Sequence, residues 1–161
     1  PDENAVKRGI EVIGRNARAQ TKLIEDILDY ARITSGKLKL EIQEVNLKNV
    51  VEAAMETIIP LAEKKNISLQ TDLSPELFVS GDAARLQQVL WNLLQNAVKF
   101  TPENGKIKIK TESFDSKAEI SVSDTGKGIS PDFLPFVFER FQQSDPNKNR
   151  RTSGLGLGLA I

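Results

Sequence analysis

Apolar residues recur at a helical period in the N-terminal part of the chain, and the period shortens to two further on. From Val6 to about Thr34, the residues Val6, Ile10, Ile13, Ala17, Ile24, Ile27 and Ala31 form one seam, with Gln20 its one polar interruption. A spacing near 3.5 residues predicts a long helix with a single apolar stripe, which is not stable standing free in water. Such a helix either folds back on its own domain or joins a bundle, and the sustained 3.5-residue spacing favours a dimerising bundle. Ser35-Gly36 stops it.

Leu38, Leu40 and Ile42 then alternate with polar neighbours, so Lys37 to Val45 is expected to be a strand. Leu47 to Lys65 predicts a helix with Val50, Ala54, Ile58 and Leu61 inward and Pro60 kinking or shifting it. Short strands are expected over Ile67 to Thr71 and Leu77 to Val79, followed by a helix capped by Asp82 and running to Lys99. Leu86, Val89, Leu90, Leu93, Leu94 and Ala97 share one side of that helix; Arg85, Gln88, Asn92, Gln95, Asn96 and Lys99 share the other. Ile107 to Ser113 and Ala118 to Val122 alternate again, joined at Asp115-Ser-Lys by a hairpin turn. Gln142 to Ser153 is polar and aperiodic, and reads as a mobile loop. Helices and strands in this order predict an α+β fold, a two-layer α/β sandwich with a mixed sheet covered on one face by helices and preceded by the long helix.

Composition narrows the chemistry. A chain of 161 residues holds one domain with a real core plus an appendage. Lys+Arg 22 balances Asp+Glu 22, so no global field attracts nucleic acid, which is not expected as a partner. With Cys 0 and His 0, any metal must be held by oxygen, which suits a hard ion such as Mg²⁺. The apolar runs are too short to span a bilayer, so no membrane contact is expected.

Four short segments carry candidate chemistry. Asn92, Asn96 and Lys99 stand at i, i+4 and i+7 and can converge on one ligand; a solvated face is the plain alternative. Asp124-Thr-Gly126-Lys-Gly128 follows a strand, putting a carboxylate at the strand's exit, where an ordinary turn would also look like this. Phe138, Arg140 and Phe141 follow Pro131 on a short helical stretch, with core packing the plain role for the two phenylalanines. Gly154, Gly156 and Gly158 would let a backbone approach a ligand closely at a helix start.

In this order the segments resemble the N, G1, F and G2 boxes of the sensor histidine kinases, whose ATP-binding domain is shared with gyrase-type ATPases. The resemblance runs from about Ala5 to Ile161 and implies two parts: 1–36, the second helix of a dimerisation hairpin, and 37–161, an ATP-binding catalytic domain. It further implies that the chain begins after the histidine-bearing helix and stops before the family's final strands, consistent with its lack of histidine. The expected activity is transfer of the ATP γ-phosphoryl group to a histidine supplied elsewhere, so this chain alone would not autophosphorylate. By the same resemblance, Asn96 offers its carbonyl oxygen to Mg²⁺, Lys99 meets the phosphates, and Asp124 accepts from the adenine amino group. Asn92, Lys99 and Arg140 are the implied catalytic residues. ATP contacts are implied for Asn92, Asn96, Lys99, Phe100, Asp124, Gly126, Gly128, Ile129, Phe138, Phe141, Gly154, Leu155, Gly156, Leu157 and Gly158. Leu155 departs from the commoner Thr or Ser, removing one hydroxyl contact. Asn92 stands where gyrase-type relatives carry a water-activating glutamate, and an amide cannot take that proton, so hydrolysis is expected to be slow. Implied partners are a second copy through the N-terminal helix and a response regulator receiver domain, in the cytoplasm. The alternatives are a gyrase- or chaperone-type ATPase and a non-catalytic dimerising scaffold.

Overall fold

The computed structural model describes residues 2–140, 142 and 158–160. Helix α1 spans Glu3–Thr34, capped by the Asp2 carboxylate, which accepts from the Asn4 N–H at 3.0 Å. It ends at Ser35, whose N–H and hydroxyl both reach the Ala31 carbonyl, and Gly36 turns left-handed at φ 64°. The apolar seam does not fold back on the domain. Val6, Ile10, Ile24 and Ile27 are exposed, and Ile13 is 69% exposed.

Strand β1 is only Gln43–Asn46, so the strand expected from Lys37 is six residues shorter at its start. Its partner is β3 (Phe78–Gly81), antiparallel, with Gln43 opposite Gly81. The ladder ends there because Asp82 begins the cap of the next helix. Leu40 and Ile42 consequently remain exposed, and Glu41 donates its N–H to the Asp82 carboxylate instead of to a strand, at 3.0 Å.

Helix α2 (Leu47–Glu63) starts from the Asn46 side chain, which accepts from the Lys48 N–H, and runs through Pro60. Its buried row is Leu47, Val50, Val51, Ala54, Ile58 and Ala62. Leu61, expected inward, is exposed. The row from Val50 advances by four residues to Ala62, and Leu61 lies one residue, about 100° of rotation, off that line. Helix α3 (Ala83–Phe100) is capped by Asp82 Oδ1, which accepts from the Arg85 N–H at 3.1 Å. It buries Leu90, Leu94, Ala97 and Val98, at i, i+4, i+7 and i+8; Val89, expected inward, is exposed.

Among the described residues the strands form two sheets rather than one. Apart from the β1–β3 ribbon, β2 (Ser68–Leu73), β4 (Lys106–Phe114) and β5 (Lys117–Asp124) make a mixed sheet in the order β2-β4-β5. β2 runs parallel to β4, and β5 returns antiparallel through a turn in which Asp115 and Ser116 both have positive φ. Register aligns Thr71, Ile109 and Val122 in one row and Leu69, Ile107 and Asp124 in the next. Ile107 and Ile109 are fully buried with Ile58 and Leu94, so α2 and α3 cover the apolar face of this sheet. The period-two alternation therefore puts Asp124 on the helix-covered side, where β5 runs out.

The corrected helical phase of α2 gives a direct test. Ile58→Ala should cost about 2–5 kcal/mol in urea-unfolding stability, and Leu61→Ala less than about 1 kcal/mol. Equal costs would mean that Leu61 is a core residue after all.

Candidate functional site

The polar side of α3 is the frame of the site. Asn92 is 7% exposed despite being on that side, because its Nδ2 donates to the Gly158 carbonyl at 2.8 Å. This contact joins residues 66 positions apart and brings the end of the last glycine run against the helix. A Cβ on Gly158 would stand 3.6 Å from the Asn92 amide, an ordinary contact, so no described residue demands glycine there. One helical turn on, Asn96 is half-buried, and its side-chain amide is engaged by no described residue. Gly154, Leu155, Gly156, Leu157 and Phe141 lie outside the described residues.

The C-terminal end of α3 is held by a side chain that the sequence reading did not single out. Lys65, just past α2, donates from Nζ to the carbonyls of Val98, Lys99 and Thr101 at 2.7, 3.1 and 2.9 Å. These carbonyls have no helical partner and carry the negative end of the helix dipole, so an ammonium is well matched to them. Lys99 projects from this turn with its Nζ 4.9 Å from the centre of the Phe100 ring. Its pKa is pushed below the ordinary lysine value, first by burial and then by the charge of Lys127.

Asp124 and its following turn close against the same helix end. Asp124 Oδ1 accepts from the Gly126 N–H at 2.7 Å, which fixes the carboxylate at the strand exit. Gly126 is required by proximity: a Cβ there would lie 2.5 Å from Asp124 Oδ1 and 2.8 Å from the Phe100 carbonyl oxygen. Gly128 adopts φ +70°, and Ile129 beyond it is exposed. Lys127, between the two glycines, places its Nζ 5.2 Å from the Phe100 ring centre.

The segment after Pro131 departs from expectation. Among the described residues it forms a single 3₁₀ turn, at Leu134–Phe136, and Phe138 is 71% exposed rather than packed in a core. Arg140 instead reaches α1, stacking its guanidinium 4.5 Å from the Tyr30 ring centre and donating to the Tyr30 hydroxyl. A second polar contact joins α1 to the domain: Asp29, 8% exposed, accepts from Arg85 Nη1 at 2.6 Å and Gln88 Nε2 at 3.0 Å. Asp29 and Tyr30 stand off the apolar seam, and no local pattern marks them. Arg85 and Gln88, three residues apart on α3's polar side, carried the only available signal.

Against known proteins, the sequence model described as "Histidine kinase-, DNA gyrase B-, and HSP90-like ATPase" matches residues 81–161. The "Hybrid signal transduction histidine kinase D" of Dictyostelium discoideum is 35% identical over 99% of this chain, which spans 12% of that protein. Among solved structures, full-length ShkA in complex with AMPPNP superposes with a TM-score of 0.79 at 32% identity, over 95% of this chain and 32% of that one. The histidine kinase ThkA in complex with the response regulator protein TrrA superposes at 0.69 and 30% identity, over 89% of this chain and 42% of that one.

The α1 contact should be acid-sensitive. The hydrogen bond from Arg85 is the main influence holding the Asp29 carboxyl below its usual range, with burial opposing and Gln88 and Arg32 assisting. A lowered folded pKa means that the contact contributes fully above the unfolded value near 3.9 and is lost as pH falls through the folded value. Asp29→Asn should reduce hydrogen-exchange protection in the last turns of α1 at neutral pH, and this difference from the parent should begin to shrink below about pH 4 and close once the Asp29 carboxyl is protonated in the folded state. A difference that persists unchanged into strong acid would show that the Asp29 charge does not hold the helix.

Proposed function

We propose, from the premise that this chain belongs to the family of histidine kinase-, DNA gyrase B- and HSP90-like ATPases, that it works as the ATP-binding catalytic part of a sensor histidine kinase. Its reaction is transfer of the γ-phosphoryl group of ATP to a histidine on another segment, since the chain carries none. The observation that carries this reading is the convergence on α3 of two glycine-bearing segments distant in sequence, Gly158 at Asn92 and Gly126 at Phe100. Such an arrangement offers backbone and amide groups to a nucleotide along one helix, with a carboxylate at one end. Asp124 reads the base: one carboxylate oxygen is held by Gly126, and the other remains for an exocyclic amino donor, which adenine has and guanine lacks at that position.

Among the described residues no cluster of three His, Cys, Asp or Glu side chains could cage a metal. Asn96, half-buried on α3 with its side-chain amide engaged by no described residue, would be the one protein ligand of a Mg²⁺ held mainly by phosphates and water. Mg²⁺ there would neutralise phosphate charge during transfer. Asn92, whose amide is committed to Gly158, supplies no base for water, which favours transfer to a residue over hydrolysis. Support for a dimer is the exposed α1 seam, and support for a receiver-domain partner is the ThkA–TrrA neighbour. No described helix is long and apolar enough to cross a membrane. A cytoplasmic setting fits a reaction that draws on ATP and a receiver domain.

Two substitutions separate the base from the metal. Asp124→Ala should weaken ATP by about ten- to a hundredfold while changing GTP little, as expected for a charge-assisted hydrogen bond worth about 1.5–3 kcal/mol. Asn96→Ala should weaken ATP with Mg²⁺ present and have little effect in chelator. Unchanged ATP affinity in Asp124→Ala, measured by calorimetric titration, would end the adenine reading.

The dimer reading has its own test. Polar substitutions at Ile13, Ile24 and Ile27 should lower self-association in sedimentation experiments and leave nucleotide affinity intact. A parent chain that sediments as a monomer at every concentration would refute it.

A further inference from the structure

The ring of Phe100 gathers two ammoniums from different segments. Lys99 comes from the last turn of α3 and Lys127 from the turn after β5, at 4.9 and 5.2 Å from the ring centre. That approach follows from the Gly126 seat: because Gly126 lies flush against the Phe100 carbonyl, the residue after it is delivered beside the ring. Among the described residues, neither lysine forms an ion pair. Two like charges drawn together cost free energy, and the Lys99 pKa is depressed first by burial and then by the charge of Lys127, with no carboxylate acting against them.

An anion between them would reverse that cost. Resting on the nucleotide reading above, we propose that Lys127 is a second phosphate-binding cation, acting with Lys99 as a two-lysine clamp on the polyphosphate of the nucleotide, with the Phe100 ring as its floor. A polyphosphate presents oxygens along its length and can meet both ammoniums at once, whereas a nucleoside has nothing to offer them. Lys127 therefore adds affinity for the phosphates without touching the base, and its contribution is screened by salt. Arginine at position 127 keeps the charge and the stacking on Phe100; glutamine loses both.

The test is calorimetric titration of this chain and its Lys127→Gln and Lys127→Arg variants with ATP, ADP and adenosine at low and high salt. Lys127→Gln should weaken ATP and ADP by about fivefold at low salt, with a smaller loss at high salt, and leave adenosine unchanged. Lys127→Arg should stay close to the parent. An unchanged ATP affinity in Lys127→Gln overturns the clamp, and so does an equal loss for adenosine, which would place Lys127 at the base. If the unsubstituted chain binds neither ATP nor adenosine, the nucleotide reading fails at its root; binding by the parent with no effect of the substitution sinks the clamp alone.

Discussion

Helix α3 has to satisfy two environments at once, and the rest of the molecule is arranged around that demand. Leu90, Leu94, Ala97 and Val98 go into the core with α2 and the mixed sheet. The opposite side must then carry every polar commitment the helix makes. Asp82 caps its start and holds Glu41, Arg85 and Gln88 receive α1, and Asn92 receives Gly158. A rotation of α3 by one residue, about 100°, would bury polar groups without partners and expose Leu94, so the core fixes the orientation of the site. The phase that packs the domain is the phase that aims Asn96 and Lys99.

The parts legible in the sequence are those with a local period or a local cap. Alternation in Ile107 and Ile109, the Asp82 cap, and the Asp115-Ser116 turn each depend on neighbours within a few residues, and each appears in the structure. Misreadings arose where a distant partner decides. Leu40 and Ile42 alternate like a strand but meet no ladder, because β3 ends at Gly81. Leu61 and Val89 are apolar at helical spacing, yet which side of each helix faces the sheet is a tertiary choice. Phe138 lies exposed although its type suggests burial. The polar contacts of Asp29, Tyr30 and Lys65 span dozens of residues and leave no local trace. The four boxes named the candidate site residues, but neither the Asn92–Gly158 contact nor the seat of Gly126 against Phe100 was visible before the fold was.

The attachment of α1 is polar while its apolar stripe faces outward. An apolar interface would have held the helix at the expense of the seam; a carboxylate pairing with Arg85 and Gln88, and a tyrosine under Arg140, leave the seam free. The two contacts also differ in what they join. Asp29 grips α3 itself, while Tyr30 grips the segment that follows the Asp124 turn. Adjacent residues on one helix thus hold two segments of the domain that are distant in sequence.

The C-terminal end of α3 poses an electrostatic problem for a polyphosphate ligand. A helix C-terminus presents unpaired carbonyls and about half a negative charge, the wrong sign for phosphate. Lys65 occupies three of those carbonyls, removing the exposed acceptors. Lys99 and Lys127 bring their ammoniums to the Phe100 ring at the same helix end. Three ammoniums from three segments thereby stand at this helix end, against about half a negative charge from the helix itself. Glycine at 126 is the steric condition for this arrangement, because a side chain there would hold the turn, and Lys127 with it, away from the helix.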